Sequence, residues 1–174
     1  MTVLKAFIVI TFVVLVGCAK TPTVPPPQYN DSRVYDSTYN EVWVDLMDFF
    51  ANNEIPLENT DKESGYVRTE KMKLKSDNVG IYAWSGYELP SKRVNSGLIR
   101  ATVFVKELPN NKASVKVNTL VKLYQDYCCT LSPGGWFDGR SSGEFEQSLL
   151  YSINTENPQQ IDLKETIDLD VRGN

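Results

Sequence analysis

The sequence predicts an α+β domain in which an antiparallel β-sheet packs against two amphipathic helices. Residues 98–107 (LIRATVFVKE) and 113–123 (ASVKVNTLVKL) are β-branched and alternate apolar with polar, the period of half-buried strands. Pro109-Asn110-Asn111 between them completes a hairpin. Apolar residues recur at helical spacing in two further stretches, one before and one after these strands. Helices at the two sequence ends of a strand-rich middle give an α+β sandwich rather than a parallel α/β fold.

The chain begins with a segment of a different kind. Residues 1–17 carry one charge, Lys5, followed by the apolar run Ala6–Val16. A membrane-spanning helix needs about twenty apolar residues at about 1.5 Å each, so this run is too short to span. A basic start, an apolar middle and small residues at the end read as a signal peptide. Leu15-Val16-Gly17-Cys18 resembles the bacterial lipobox. That resemblance implies cleavage before Cys18, a diacylglyceryl group on its sulfur and a further acyl chain on the new amine. Two or more acyl chains anchor durably where one does not. Enterobacterial lipoproteins with aspartate after this cysteine stay at the inner membrane, so Ala19 implies the outer membrane, with the domain facing the periplasm.

Cleavage leaves 157 of the 174 residues, with 17 basic against 22 acidic side chains, a net charge of −5. That is one domain's length, 33–155, with room for a substantial core. An acidic chain without an extended basic cluster argues against nucleic acid as a partner and against a polybasic membrane-surface role. Residues 18–32 include Thr21-Pro22-Thr23-Val24-Pro25-Pro26-Pro27, a semi-extended tether of about 3.1 Å per residue.

Within the domain, Arg33-Val34-Tyr35 reads as a short strand. Thr38-x-x-Glu41 fits a capping box for a helix with Val42, Trp43, Leu46, Phe49 and Phe50 on its buried face. Ile55–Glu58 is strand-like, Asp61–Gly65 is a turn signal, and a strand runs from Tyr66 towards Leu74. In residues 113–123 the alternation puts Val115, Val117, Val121 and Leu123 on one face and Lys116, Asn118 and Lys122 on the other. Ser141-x-x-Glu144 fits a second capping box, ahead of Phe145, Leu149, Leu150 and Ile153. After Asn157-Pro158, the acidic tail 156–174 alternates Ile161, Leu163, Ile167, Leu169 and Val171 with polar residues. It reads either as a strand added to a sheet edge, here or on a partner, or as disorder.

The chemistry-bearing residues exclude more than they suggest. The chain has no histidine, which removes Cys-His and Ser-His catalysis and most transition-metal sites. Gly139-Arg140-Ser141-Ser142-Gly143 matches the G-x-S-x-G pattern, but without a base Ser141 is better explained as a helix cap. Adjacent Cys128 and Cys129 lie about 3.8 Å apart at Cα, below the usual disulfide range of roughly 4.4 to 6.8 Å. They read as free or buried thiols, as a strained vicinal redox pair, or as intermolecular partners. No enzyme activity, cofactor or metal is expected.

Two aromatic loops are the site candidates. Residues 76–97 carry Tyr82, Trp84 and Tyr87, and the glycine-rich stretch 133–139 carries Trp136 and Phe137. Exposed rings of this kind anchor protein contacts; the alternative is that they fold back as lids over the sheet edges. "VYDSTYNEVWVDL", "DKESGYVRT" and "SSGEFEQSLLYSI", in that order, resemble the BamC-type helix-grip domains of periplasmic lipoproteins. The likeness covers about 120 residues and implies a non-enzymatic accessory role beside an envelope protein complex. The competing expectation is a helix-grip cavity for a small apolar or lipid ligand.

Overall fold

The sheet is built on one long hairpin. Strands β6 (Val94–Leu108) and β7 (Lys112–Gln125) pair antiparallel from Val94↔Gln125 to Leu108↔Lys112. The turn between them places Asn110 and Asn111 at φ 64° and 55°, a left-handed conformation that asparagine tolerates better than most residues. The structure, a computed structural model, describes residues 27–84, 94–126, 134–153 and 167–168.

Each arm of the hairpin is flanked by two short strands set end to end. On β6 lie β3 (Tyr66–Thr69) and β4 (Met72–Leu74); on β7 lie β1 (Ser32–Tyr35) and β8 (Gly135–Ser141). Beyond them β2 (Leu57–Asp61) pairs with β3, β5 (Ala83–Trp84) with β8, and β9 (Ile167–Asp168) with β4. Every pairing is antiparallel.

Ile99, Ala101, Val103, Val115, Val117 and Leu123, alternate residues along the two arms, are buried beneath the helices. Helix α1 (Tyr39–Asn52) starts at the expected capping box: Thr38 Oγ1 accepts from the Glu41 N–H at 3.3 Å, and Glu41 Oε2 accepts from the Thr38 N–H at 2.8 Å. The Thr38 N–H and the Thr38 hydroxyl, both donating to the Glu41 carboxylate, hold it below its usual pKa. The helix buries Val42, Trp43, Leu46, Phe49 and Phe50, as its spacing predicts. Side chains of this size each contribute about 1.5–3 kcal/mol on burial. The last helix, α3 (Glu144–Ser152), joins this core through Phe145, whose ring meets Phe49 edge-on at 6.5 Å.

Three expectations need correction. Two helices were expected, but a third short one, α2 (Val79–Tyr82), follows a 3-10 turn at Ser76–Asn78 inside the segment read as a long loop. Val79 and Tyr82, three apart, share a buried face there. The second capping box does not form. Gly143 caps α3 at φ 93°, and Ser141 lies in β8 instead. The strand expected from Tyr66 to Leu74 breaks after Thr69, whose buried hydroxyl accepts from the Ala101 N–H at 3.0 Å. No helix among the described residues is long and apolar enough to cross a membrane.

Candidate functional site

Alternation along the strands gives the sheet a second face, on the side away from the helices. Val34, Phe104, Leu120 and Trp136 project from it, each on a different strand from its neighbour in space or several residues along the same one. Leu120 is 64% exposed and Trp136 51%, large values for apolar side chains on regular strands. Two cross-strand aromatic pairs order the surface: Tyr66–Phe104 at 5.5 Å, edge to face, and Tyr124–Trp136 at 5.3 Å. Such pairs are worth about 0.5–1.5 kcal/mol beyond their area and hold the rings in fixed positions.

Cations are interleaved with these rings. Lys122 pairs with Asp138 at 2.6 Å across β7 and β8, and Lys116 with Asp31 at 3.5 Å. Arg68 and Arg100 are diagonal neighbours on β3 and β6, since Arg68 stands opposite Thr102. An irregularity in β2 between Leu57 and Asn59 brings Glu58 over both. One oxygen, Glu58 Oε2, lies 3.4 Å from Arg68 Nε and 3.6 Å from Arg100 Nη2.

The aromatic candidates divide. Trp84 lies opposite Arg140, whose guanidinium sits 5.7 Å over its ring, on the same outward side as Trp136. Tyr82 was expected at a loop surface but is buried, because α2 turns it inward. Phe137 is corrected too: Gly135–Gly139 of the glycine-rich stretch belong to strand β8, so Phe137 faces opposite to Trp136 and packs against the core. Tyr87, the lipidation candidate Cys18 and the redox-pair candidates Cys128 and Cys129 lie outside the described residues.

A second polar cluster carries no signal in the residue pattern. Glu146 is fully buried on α3, where it accepts from Ser141 Oγ at 2.7 Å and from Tyr29 Oη at 3.1 Å. Ser141 Oγ accepts in turn from the Gly143 N–H at 3.1 Å. Burial and the Glu146 charge raise the Tyr29 pKa. The Ser141 proton is committed to a carboxylate shut off from solvent, so the cluster works as a tie. It holds residues 29–31, which the sequence places in the tether, against the domain. Asp31 adds a backbone bond, accepting from the Val117 N–H at 2.8 Å.

An open cleft of about 740 Å³ runs beside this tie, lined by Gln28, Tyr29, Asn30, Arg33, Gln147 and Tyr151 among others. Its lining is mainly polar. Between the helices and the sheet the space is filled by Leu46, Phe50, Ile99, Leu123, Phe145 and Leu149. Among the described residues no cluster of three or more His, Cys, Asp or Glu could hold a metal ion. No protein-family model matches the chain, and no curated protein is similar to it.

Proposed function

We propose that the chain is a lipid-anchored, non-enzymatic accessory module of a cell-envelope protein complex, docking through the outward face of its sheet. The observation that carries this reading is the ordered set of exposed apolar side chains on that face, Trp136 and Leu120 above all. Rings fixed on strands lose little side-chain entropy on binding, which favours them as contact anchors. The lipobox-like Leu15–Cys18 supplies the attachment, to the outer membrane on the periplasmic side. The BamC-type helix-grip likeness supports a place beside an assembly, secretion or appendage machine. The sheet with one long helix laid across a single face suits that likeness.

The competing ligand-cavity reading has less support. Its cavity would lie between helices and sheet, where large apolar side chains already fill the space. The open cleft at Tyr29 has too polar a lining to favour an apolar ligand.

Two results test the proposal. Trp136→Ala and Leu120→Ser should each reduce recovery of crosslinked envelope proteins by tenfold or more. Leu120→Ser should move the melting temperature by less than about 2 °C, as surface changes stay within about 0.5 kcal/mol, and Trp136→Ala by only a few degrees, for the lost Tyr124–Trp136 pair. Equal losses of stability and recovery would make these side chains structural. Cys18→Ala should abolish palmitate labelling and leave the precursor uncleaved; persistent labelling would defeat the anchor.

A further inference from the structure

The outward face is electrically distinct from the rest of a chain whose net charge is −4. It presents Arg68, Arg100, Lys106, Lys116, Lys122 and Arg140 against Glu58, Asp61, Asp138 and the Asp31 that pairs with Lys116. The helices on the other side, α1 and α3, contain no Lys or Arg at all, only Glu41, Asp45, Asp48, Glu144 and Glu146. The domain is therefore polarised, acidic on its helices and basic on its open sheet. An approaching acidic surface is turned toward the sheet and repelled by the helices.

Within that face the two arginines stand apart from the lysines. Lys116 and Lys122 each already have a carboxylate of their own. Arg68 and Arg100 share a single carboxylate, so the trio carries one surplus positive charge. Their side chains are recessed, 35% and 20% exposed, and neither buried Nε makes a well-formed hydrogen bond among the described residues, Arg68 Nε having only the 3.4 Å ion-pair contact with Glu58. A buried donor without a well-formed hydrogen bond leaves part of its desolvation cost uncompensated. Two planar guanidiniums side by side suit a second carboxylate, taken in the bidentate manner that arginine favours. Leu120 stands directly opposite Arg100 on β7 and offers apolar contact beside the charge.

We propose that Arg68 and Arg100 form a receptor for an aspartate or glutamate of a partner protein, with Glu58 holding the two guanidiniums in place until it arrives. The occupant is an acidic protein segment rather than a membrane surface. Two of the projecting amines, Lys116 and Lys122, are already paired with carboxylates of the chain, and the surplus charge of the arginine pair lies in a recess that a side chain enters more readily than a flat headgroup layer. This inference rests on the docking-face reading above and specifies the chemistry of that same face.

A photo-crosslinking residue at Asn118, exposed and next to the Arg68–Thr102 pair, tests it in cells with the full chain. The expected result is an adduct to a protein whose crosslinked peptide contains Asp or Glu. The adduct falls at least tenfold in Arg68→Gln/Arg100→Gln and persists in Glu58→Gln, which leaves both guanidiniums available. If the double variant fails to fold, Arg100→Gln alone is read, with melting temperature as the control. An adduct unchanged by loss of the arginines overturns the carboxylate receptor and leaves the docking face standing. Adducts to lipid or to a second copy of the chain, or none to any protein, overturn both.

Discussion

Gly65→Ala is expected to be among the most damaging single substitutions in the domain, lowering its stability by about 2–5 kcal/mol. Gly65 sits at φ +68° in the turn between β2 and β3, where an L-residue pays about 1–2 kcal/mol. A Cβ there would also stand 2.0 Å from the backbone oxygen of Val105. The turn has no easy way to move aside. Val105 N–H donates to Gly65 O at 2.7 Å, and Asp61 Oδ1 accepts from the Glu63 and Ser64 N–H groups at 3.0 and 3.3 Å. Relief of the clash breaks the Gly65–Val105 bond, which adds about 1–3 kcal/mol for buried groups left unpaired. Urea unfolding measures the loss. A change below about 1 kcal/mol would mean the turn tilts freely away from β6.

Glu146→Ala should cost a similar amount, about 2–4 kcal/mol, by a different route. It removes the acceptor of two hydroxyls, Ser141 and Tyr29, and leaves a void against a fully buried position. Tyr29→Phe removes only one of those bonds and should cost about 1 kcal/mol. The pair are neighbours in one network, so the double variant should lose less than the sum. Hydrogen exchange supplies the signature of the tie: the Val117 amide, bonded to Asp31 O, should exchange faster in both variants. Slow exchange at Val117 with full loss of global stability would show that residues 29–31 are held by β1 pairing instead.

The central hairpin and α1 were legible because their patterns are local. Strict alternation from Leu98 and from Ala113 fixes which side chains face the helices, and Thr38 with Glu41 marks where α1 starts. Much of what was missed depends on partners distant in sequence. Residues 94–97, Val-Asn-Ser-Gly, have no alternating apolar signal but join β6 because β7 continues opposite them, with a register shift between Val94 and Ser96. The glycines of 133–139 suggested a turn. Gly139 instead leaves room in β8 for Leu123, whose Cδ1 would lie 2.9 Å from an added Cβ. Ser141 missed its capping role because Gly143, able to adopt φ +93° beneath the Tyr29 ring, starts the helix two residues later.

The candidate site was half legible for the same reason. Trp84 and Trp136 could be picked out as aromatic residues in glycine-rich or long irregular stretches. Their common outward side follows only from the pairing of β8 with β5 and β7. Glu58, Arg68 and Arg100 have no motif spacing at all. Three strands and one irregularity in β2 bring them together. Whole-chain charge concealed the basic face, because the acidic helices outweigh it.

The most direct measurement compares the two sides of the domain in living cells. Photo-crosslinkers are placed singly at Leu120, on the open sheet, and at Val44, exposed on α1. Docking through the sheet requires a discrete envelope-protein adduct from position 120 and little or none from position 44. Adducts from position 44 alone, or a chain that crosslinks to no protein from position 120, would contradict it.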